Sequence, residues 1–116
     1  MLIYIKGKFT QARLTQGTNG MTVHVVANFP MTEAGAKDMI EWSATDDGFA
    51  VTRQFKGFQE IRQFLAEDNK TIILTQKWDS KEDHQAYLKA RVDGGLMDFL
   101  GPRLDGEFTV TYLSEV

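Results

Sequence analysis

The chain has 116 residues, 42% of them apolar and 25% charged, with a net charge of −3 and no cysteine. That is the size of one ordinary domain with enough apolar residues for a core. The acidic balance offers nothing to a nucleic-acid backbone or an anionic membrane surface. The missing cysteines exclude disulfides, thiolate metal sites and a cysteine nucleophile, and they suit a cytoplasmic protein.

No apolar run approaches the about 20 residues that cross a bilayer. Met1 to Lys6 is too short for a signal-peptide core and lacks a basic start. Two prolines and ten glycines leave no linker-like stretch.

In chain order, Leu2 to Phe9 alternates and predicts a short strand. Gln16 to Gly20 reads as a turn. Met21 to Phe29 predicts a strand with His24, Val26 and Asn28 on one face and Val23, Val25 and Ala27 on the other. Both faces carry apolar residues, so cover on both sides is expected. Thr32 is a candidate N-cap for a helix after Pro30, with Met31 and Ala36 placed for a hydrophobic staple. Ala36, Met39, Ile40 and Ser43 share its face, flanked by Trp42, until Asp46-Asp47-Gly48 interrupts. Phe49 to Phe55 fits a strand or a helix. Phe58 to Leu65 predicts a strand, Asp68-Asn69 a hairpin turn, and Lys70 to Trp78 the returning strand.

Ser80 is the N-cap of a second long helix, with Asp83 at the capping-box position. Leu88, Val92, Leu96 and Phe99 predict its buried stripe. Gly94-Gly95 predicts a kink or split, and Gly101-Pro102 an end. Gly106 to Leu113 is a final strand. The order β-α-β-β-α-β is the ferredoxin-like signature: an α+β fold on an antiparallel sheet.

Three features, in this order, carry a family resemblance. Ala27-Asn28 ends the first long strand, Lys56-Gly57-Phe58 precedes the next, and Trp78-Asp79-Ser80 precedes the second helix. From about Met21 to Leu113 the chain resembles the antibiotic biosynthesis monooxygenase family. The domain is therefore expected to span residues 21–116, with residues 1–20 an arm outside the match and a candidate extra strand. The resemblance implies that Phe49 to Phe55 is helical, with Gly57 as its C-cap. It implies a homodimer, two sheets facing each other as a dimeric α+β barrel. Two helices cover only one sheet face, so the physical argument agrees.

Known members include cofactor-free oxygenases of polyketide phenols and haem-degrading enzymes. The haem-degrading branch uses an Asn-Trp-His set. Asn28 matches its Asn, Tyr87 falls where the Trp would be, and Met97 falls near the His. The axial ligand is thus missing, and no cofactor and no metal are expected.

The candidate catalytic residues are Asn28, His24 and Tyr87. Asn28 donates and accepts hydrogen bonds and suits a phenolate or a bound oxygen species; otherwise it fixes the Phe29-Pro30 turn. His24, on the same strand face, suits a proton acceptor; a barrel-edge histidine is the alternative. Tyr87 suits a substrate oxygen or the edge of the core. Trp42, Phe55, Trp78 and Met97 are candidate pocket walls, although core residues have the same character. Arg91, one turn beyond Tyr87, suits a carboxylate or a surface pair with Glu82 or Asp83. His84, in a run of charges, reads as solvated.

The expected function is a cofactor-independent monooxygenase of a small aromatic or quinol-like compound. The alternatives are a small-molecule-binding or stress-related dimer without turnover, or an isomerase-like member of the same superfamily.

Overall fold

The computed structural model describes residues 4–6 and 22–116. The elements are β1 (Tyr4–Lys6), β2 (Val23–Pro30), α1 (Glu33–Ser43), α2 (Phe49–Thr52), β3 (Phe58–Leu65), β4 (Thr71–Trp78), α3 (Lys81–Asp93), α4 (Leu96–Leu100), a 3-10 turn (Gly101–Arg103) and β5 (Thr109–Leu113). The sheet order is β1-β5-β2-β4-β3. Strands β2 to β5 pair antiparallel, and with α1 and α3 they make the ferredoxin-like α+β fold. β1 lies parallel to β5, with Ile5 opposite Val110, and extends that edge of the sheet. The expected Gln16–Gly20 turn and Met21 lie outside the described residues.

Local chemistry sets the helix starts. The Thr32 hydroxyl accepts the Gly35 N–H at 2.9 Å, and the Ser80 hydroxyl accepts that of Asp83 at 3.0 Å. Gly48 leads into α2, a single turn, so Phe49 to Thr52 is helix rather than strand, but the helix ends at Arg53, Phe55 lies in the turns that follow, and Gly57 is not its C-cap. Gly57 then reverses the chain at a φ of +85°, and a Cβ there would run into the Asp83 carboxylate. At the β3–β4 hairpin the Asp68 carboxylate accepts the Lys70 and Thr71 N–H groups, and Asn69 takes a φ of 61°. These bonds hold the Asp68 carboxyl below its usual range. Gly94-Gly95 ends α3, and Gly95 adopts a φ of +104° before α4 restarts.

The helices cover one sheet face. Val23, Val25, Ala27, Phe29, Ile72, Leu74, Trp78, Val110 and Tyr112 are buried beneath them. Phe29 stacks on Phe108 at 4.9 Å between ring centroids. Residues of the other parity, including His24, Val26, Asn28, Thr75 and Lys77, form the open face. Phe64 and Leu113 are large exposed apolar side chains of that face, 50% and 42% accessible. Both parities are apolar enough to be buried, but within one chain only the Val23–Phe29 parity is.

Candidate functional site

An enclosed cavity of about 50 Å3 lies between the sheet and the helices. Its walls are mostly apolar: Ala27, Phe29 and Leu74 from the sheet, Met39 from α1, Phe99 and Leu100 from α4. Four polar side chains reach it, Gln76 from β4 and His84, Tyr87 and Arg91 from α3. Outside it is a groove of about 380 Å3, lined by Val51, Phe55, Ala90 and the Gly94-Gly95 break. Trp42, Arg91, Leu96 and Phe99 line both. The inner cavity has room for a few atoms only, and the groove falls in the size range of small-molecule sites.

Trp42 and Phe99 close the wall between the two, their ring centroids 5.3 Å apart. α3 ends at the Gly94-Gly95 break, and α4 after it brings Phe99 against Trp42 of α1. Arg91 is the third part of the wall. Its guanidinium lies over the Trp42 ring at 5.2 Å and the Tyr87 ring at 5.4 Å. Its Nε donates to the Tyr87 hydroxyl at 3.1 Å, and its Nη2 to the Gly48 carbonyl at 2.8 Å and to Thr52 Oγ1 at 2.9 Å. The Tyr87 hydroxyl and Thr52 Oγ1 share a further bond of 2.9 Å. Arg91 therefore does not pair with Glu82 or Asp83. It points inward and ties α3 to the turn before α2, because those carbonyls offer acceptors that a surface carboxylate would have to supply at a loss of side-chain entropy.

His84 is 2% exposed, not solvated. Its Nδ1 shares a 2.8 Å bond with the Tyr112 hydroxyl, and its ring contacts Trp78 and Tyr112 edge-on. Burial lowers its pKa to about 4 and raises that of Tyr112 to about 12, so both are neutral near pH 7. The buried stripe of α3 is His84 and Tyr87, flanked by half-buried Leu88 and Arg91, rather than the expected Leu88-Val92 line. The i, i+3, i+4, i+7 spacing from His84 is the signal that would have found it.

The eight expected site residues divide between the two sheet faces. Trp42 and Arg91 line both spaces, Tyr87 the inner cavity and Phe55 the groove. Trp78 lies behind the inner cavity, its ring against Tyr87 at 5.1 Å and His84 at 5.5 Å. Met97 packs against the core without lining either space. His24 and Asn28 sit on the open face, where Asn28 is exposed and His24 Nε2 lies 4.0 Å from Glu115. The sheet separates them from Tyr87, so one chain does not bring His24, Asn28 and Tyr87 together. His24 instead borders a shallow depression of about 550 Å3 with Glu60, Arg62, Phe64 and Lys77.

Haem does not fit the residues present. Met97, near the position of the haem-branch histidine, offers no axial imidazole, and the cavity that His84 lines, about 50 Å3, is far smaller than a porphyrin. Among the described residues no group of three or more His, Asp or Glu converges as a metal site, and no helix is long and apolar enough to cross a membrane.

No protein-family model matches the chain, and no curated protein matches it in sequence. Solved structures do. A conserved protein from Methanosarcina mazei superposes with a TM-score of 0.71 at 10% identity, covering 84% of this chain and 96% of its own. A Nitrosomonas europaea protein, provisionally named an antibiotic biosynthesis monooxygenase, gives a TM-score of 0.70 at 8% identity, covering 84% and 92%. A monooxygenase from the gene ActVA-Orf6 of Streptomyces coelicolor, solved with the ligand nanaomycin D, gives 0.68 at 18% identity, covering 87% and 92%. The chain thus has the α+β, ferredoxin-like fold found in antibiotic biosynthesis monooxygenases.

Proposed function

We propose that this chain is a cytoplasmic, homodimeric, cofactor-independent monooxygenase of a small phenolic or quinol-like compound. The observation that carries the reading is His84. It is a neutral imidazole oriented by Tyr112, and its second ring nitrogen has no protein partner among the described residues. It lines an enclosed, largely apolar cavity that the Trp42, Phe99 and Arg91 side chains part from a groove of about 380 Å3, a volume in the range of small-molecule sites.

The chemistry follows from the substrate. The ring lies in the groove beside Trp42, Phe55 and Phe99 and turns its hydroxyl inward past Arg91. His84 Nε2 takes the phenolic proton. The imidazolium, unfavourable in the free protein, is stabilised by the phenolate formed beside it. The electron-rich phenolate then reduces dioxygen, and a C–O bond forms at a ring carbon. The O–O bond breaks as the ring C–H proton and the phenolic proton leave with the departing oxygen as water. Phenol plus dioxygen gives quinone plus water, with no external electron donor. Tyr87, held by Thr52 and Arg91, fixes the wall of the cavity beside the substrate, and the apolar walls exclude water.

The homodimer is proposed from the other face. His24, Asn28, Val26, Phe64 and Leu113 belong to the surface that we assign to the partner's sheet. Light scattering at micromolar concentration should give twice the chain mass; a clean monomer contradicts the barrel. The activity itself is tested with an oxygen electrode and a panel of phenols and hydroquinones, without added flavin, haem or metal. Stoichiometric oxygen uptake with quinone formation is expected. Ligands that raise Tm without any oxygen uptake would replace the enzyme with a binding protein.

A further inference from the structure

Gln76 is 5% exposed, on the helix-covered face of β4, and lines the inner cavity. Its Oε1 accepts the Trp78 indole N–H at 2.8 Å. An indole nitrogen only donates, so it fixes which end of the amide it meets. The oxygen must face Trp78, and the NH2 group must be the other end. Among the described residues that NH2 group has no acceptor. A buried donor without a partner costs about 1–3 kcal/mol, and such groups in native proteins call for a reason.

The cavity supplies one. Its remaining lining is apolar apart from His84, Tyr87 and Arg91, and the Tyr87 and Arg91 polar atoms are already bonded to each other and to Thr52 and Gly48. Gln76 lines a space of only about 50 Å3 there, and its NH2 is the donor that the bond to Trp78 leaves unused. A ring does not fit there, but a single oxygen substituent does. The ligand that satisfies this donor is a ring in the outer groove with an acceptor oxygen projecting inward.

We propose that Gln76 is the residue that binds a carbonyl or phenolate oxygen of the ligand, and that Trp78 is the positioning residue that keeps its NH2 turned into the cavity. This rests on the proposed function, because it concerns the same cavity and names the group the substrate or product must carry. It makes the site selective for oxygenated aromatics over the bare ring. A site built around a donor rejects analogues that leave it unpaired far more strongly than an apolar pocket rejects a changed methylene.

Two inert probes test this without turnover: α-tetralone, which has one ketone, and tetralin, which has none. Both tryptophans of the chain, Trp42 and Trp78, adjoin the site, so intrinsic fluorescence reports binding. In an apolar pocket without a donor, tetralin binds more tightly, because the ketone loses hydration on entry. The proposal predicts the opposite order, α-tetralone tighter by about tenfold or more. Gln76→Met removes the amide and its donors, so the order should reverse. Gln76→Leu should also reverse it, should the methionine variant not fold.

Tetralin binding as tightly as α-tetralone in the unaltered protein overturns the proposal. So does a ketone preference that survives in either folded variant. If neither probe binds, the cavity is not a ring site and the proposed function falls with it. If both bind without a ketone preference, only the role of Gln76 falls.

Discussion

Trp78→Ala is expected to lower the unfolding free energy by about 3–5 kcal/mol, the range for removing a buried large aromatic. Trp78 is fully buried, at 0% exposure. Its ring lies 5.5 Å from Phe58, 5.1 Å from Tyr87 and 5.5 Å from His84 between centroids, which joins β3, β4 and α3 in one packing unit. Truncation opens a void where these elements meet and leaves the Gln76 amide without its indole partner. Domains of this size have about 5–15 kcal/mol in all, so much of the margin goes. Urea unfolding measures it: the midpoint should fall with an unchanged slope. A loss below about 1 kcal/mol would mean that the ring is not packed as described.

The second large effect is pH dependence through His84. Burial lowers its pKa in the fold to about 4 from the ordinary 6.5. Between those values the unfolded chain binds the proton and the folded chain does not, so stability rises with pH across this window. The contribution is complete above pH 6.5 and is lost as pH falls toward 4. At 1.36 kcal/mol per pKa unit the swing is about 3 kcal/mol, equivalent to a Tm lower on the order of 10 °C at pH 4 than at pH 7. Asp68, whose carboxyl is held low, adds a loss of the same sign at lower pH. His84→Gln keeps a polar group beside Tyr112 and cannot titrate. Its Tm should therefore change much less between pH 6.5 and 4.5. Parallel pH profiles for the two proteins would show that His84 is not the group that titrates.

Much of the fold was legible because its signals are local. Thr32 and Ser80 cap helices through their own hydroxyls, Gly94-Gly95 breaks the second helix where two flexible residues adjoin, and Asp68-Asn69 makes the turn its side chains favour. The site was less legible because it depends on which sheet face the helices choose. Val26 on one parity of β2 and Val25 on the other look alike in the sequence. Only when Phe29 and Phe108 stack beneath the helices does one parity become the inside. That choice puts Asn28 and His24 outside and leaves Tyr87 and Arg91 inside. His84 was hidden by its charged neighbours, the exposed Glu82, and Asp83, whose carboxylate sits against Gly57. Gln76 was hidden because a polar residue in an alternating strand reads as solvent-facing. Its same-face spacing to Trp78, two residues on, was the available sign of a buried amide–indole pair.

The most direct test of the account compares two variants in the oxygen electrode on the best phenol of the panel. The central claim is that chemistry occurs in the helix–sheet cavity at His84 and not on the open face. His84→Gln should lower kcat/KM by about 100-fold or more, the usual scale for losing a positioned base, while Asn28→Ala stays within about twofold. A loss in Asn28→Ala with His84→Gln unaffected would place the chemistry on the opposite side of the sheet and contradict the account.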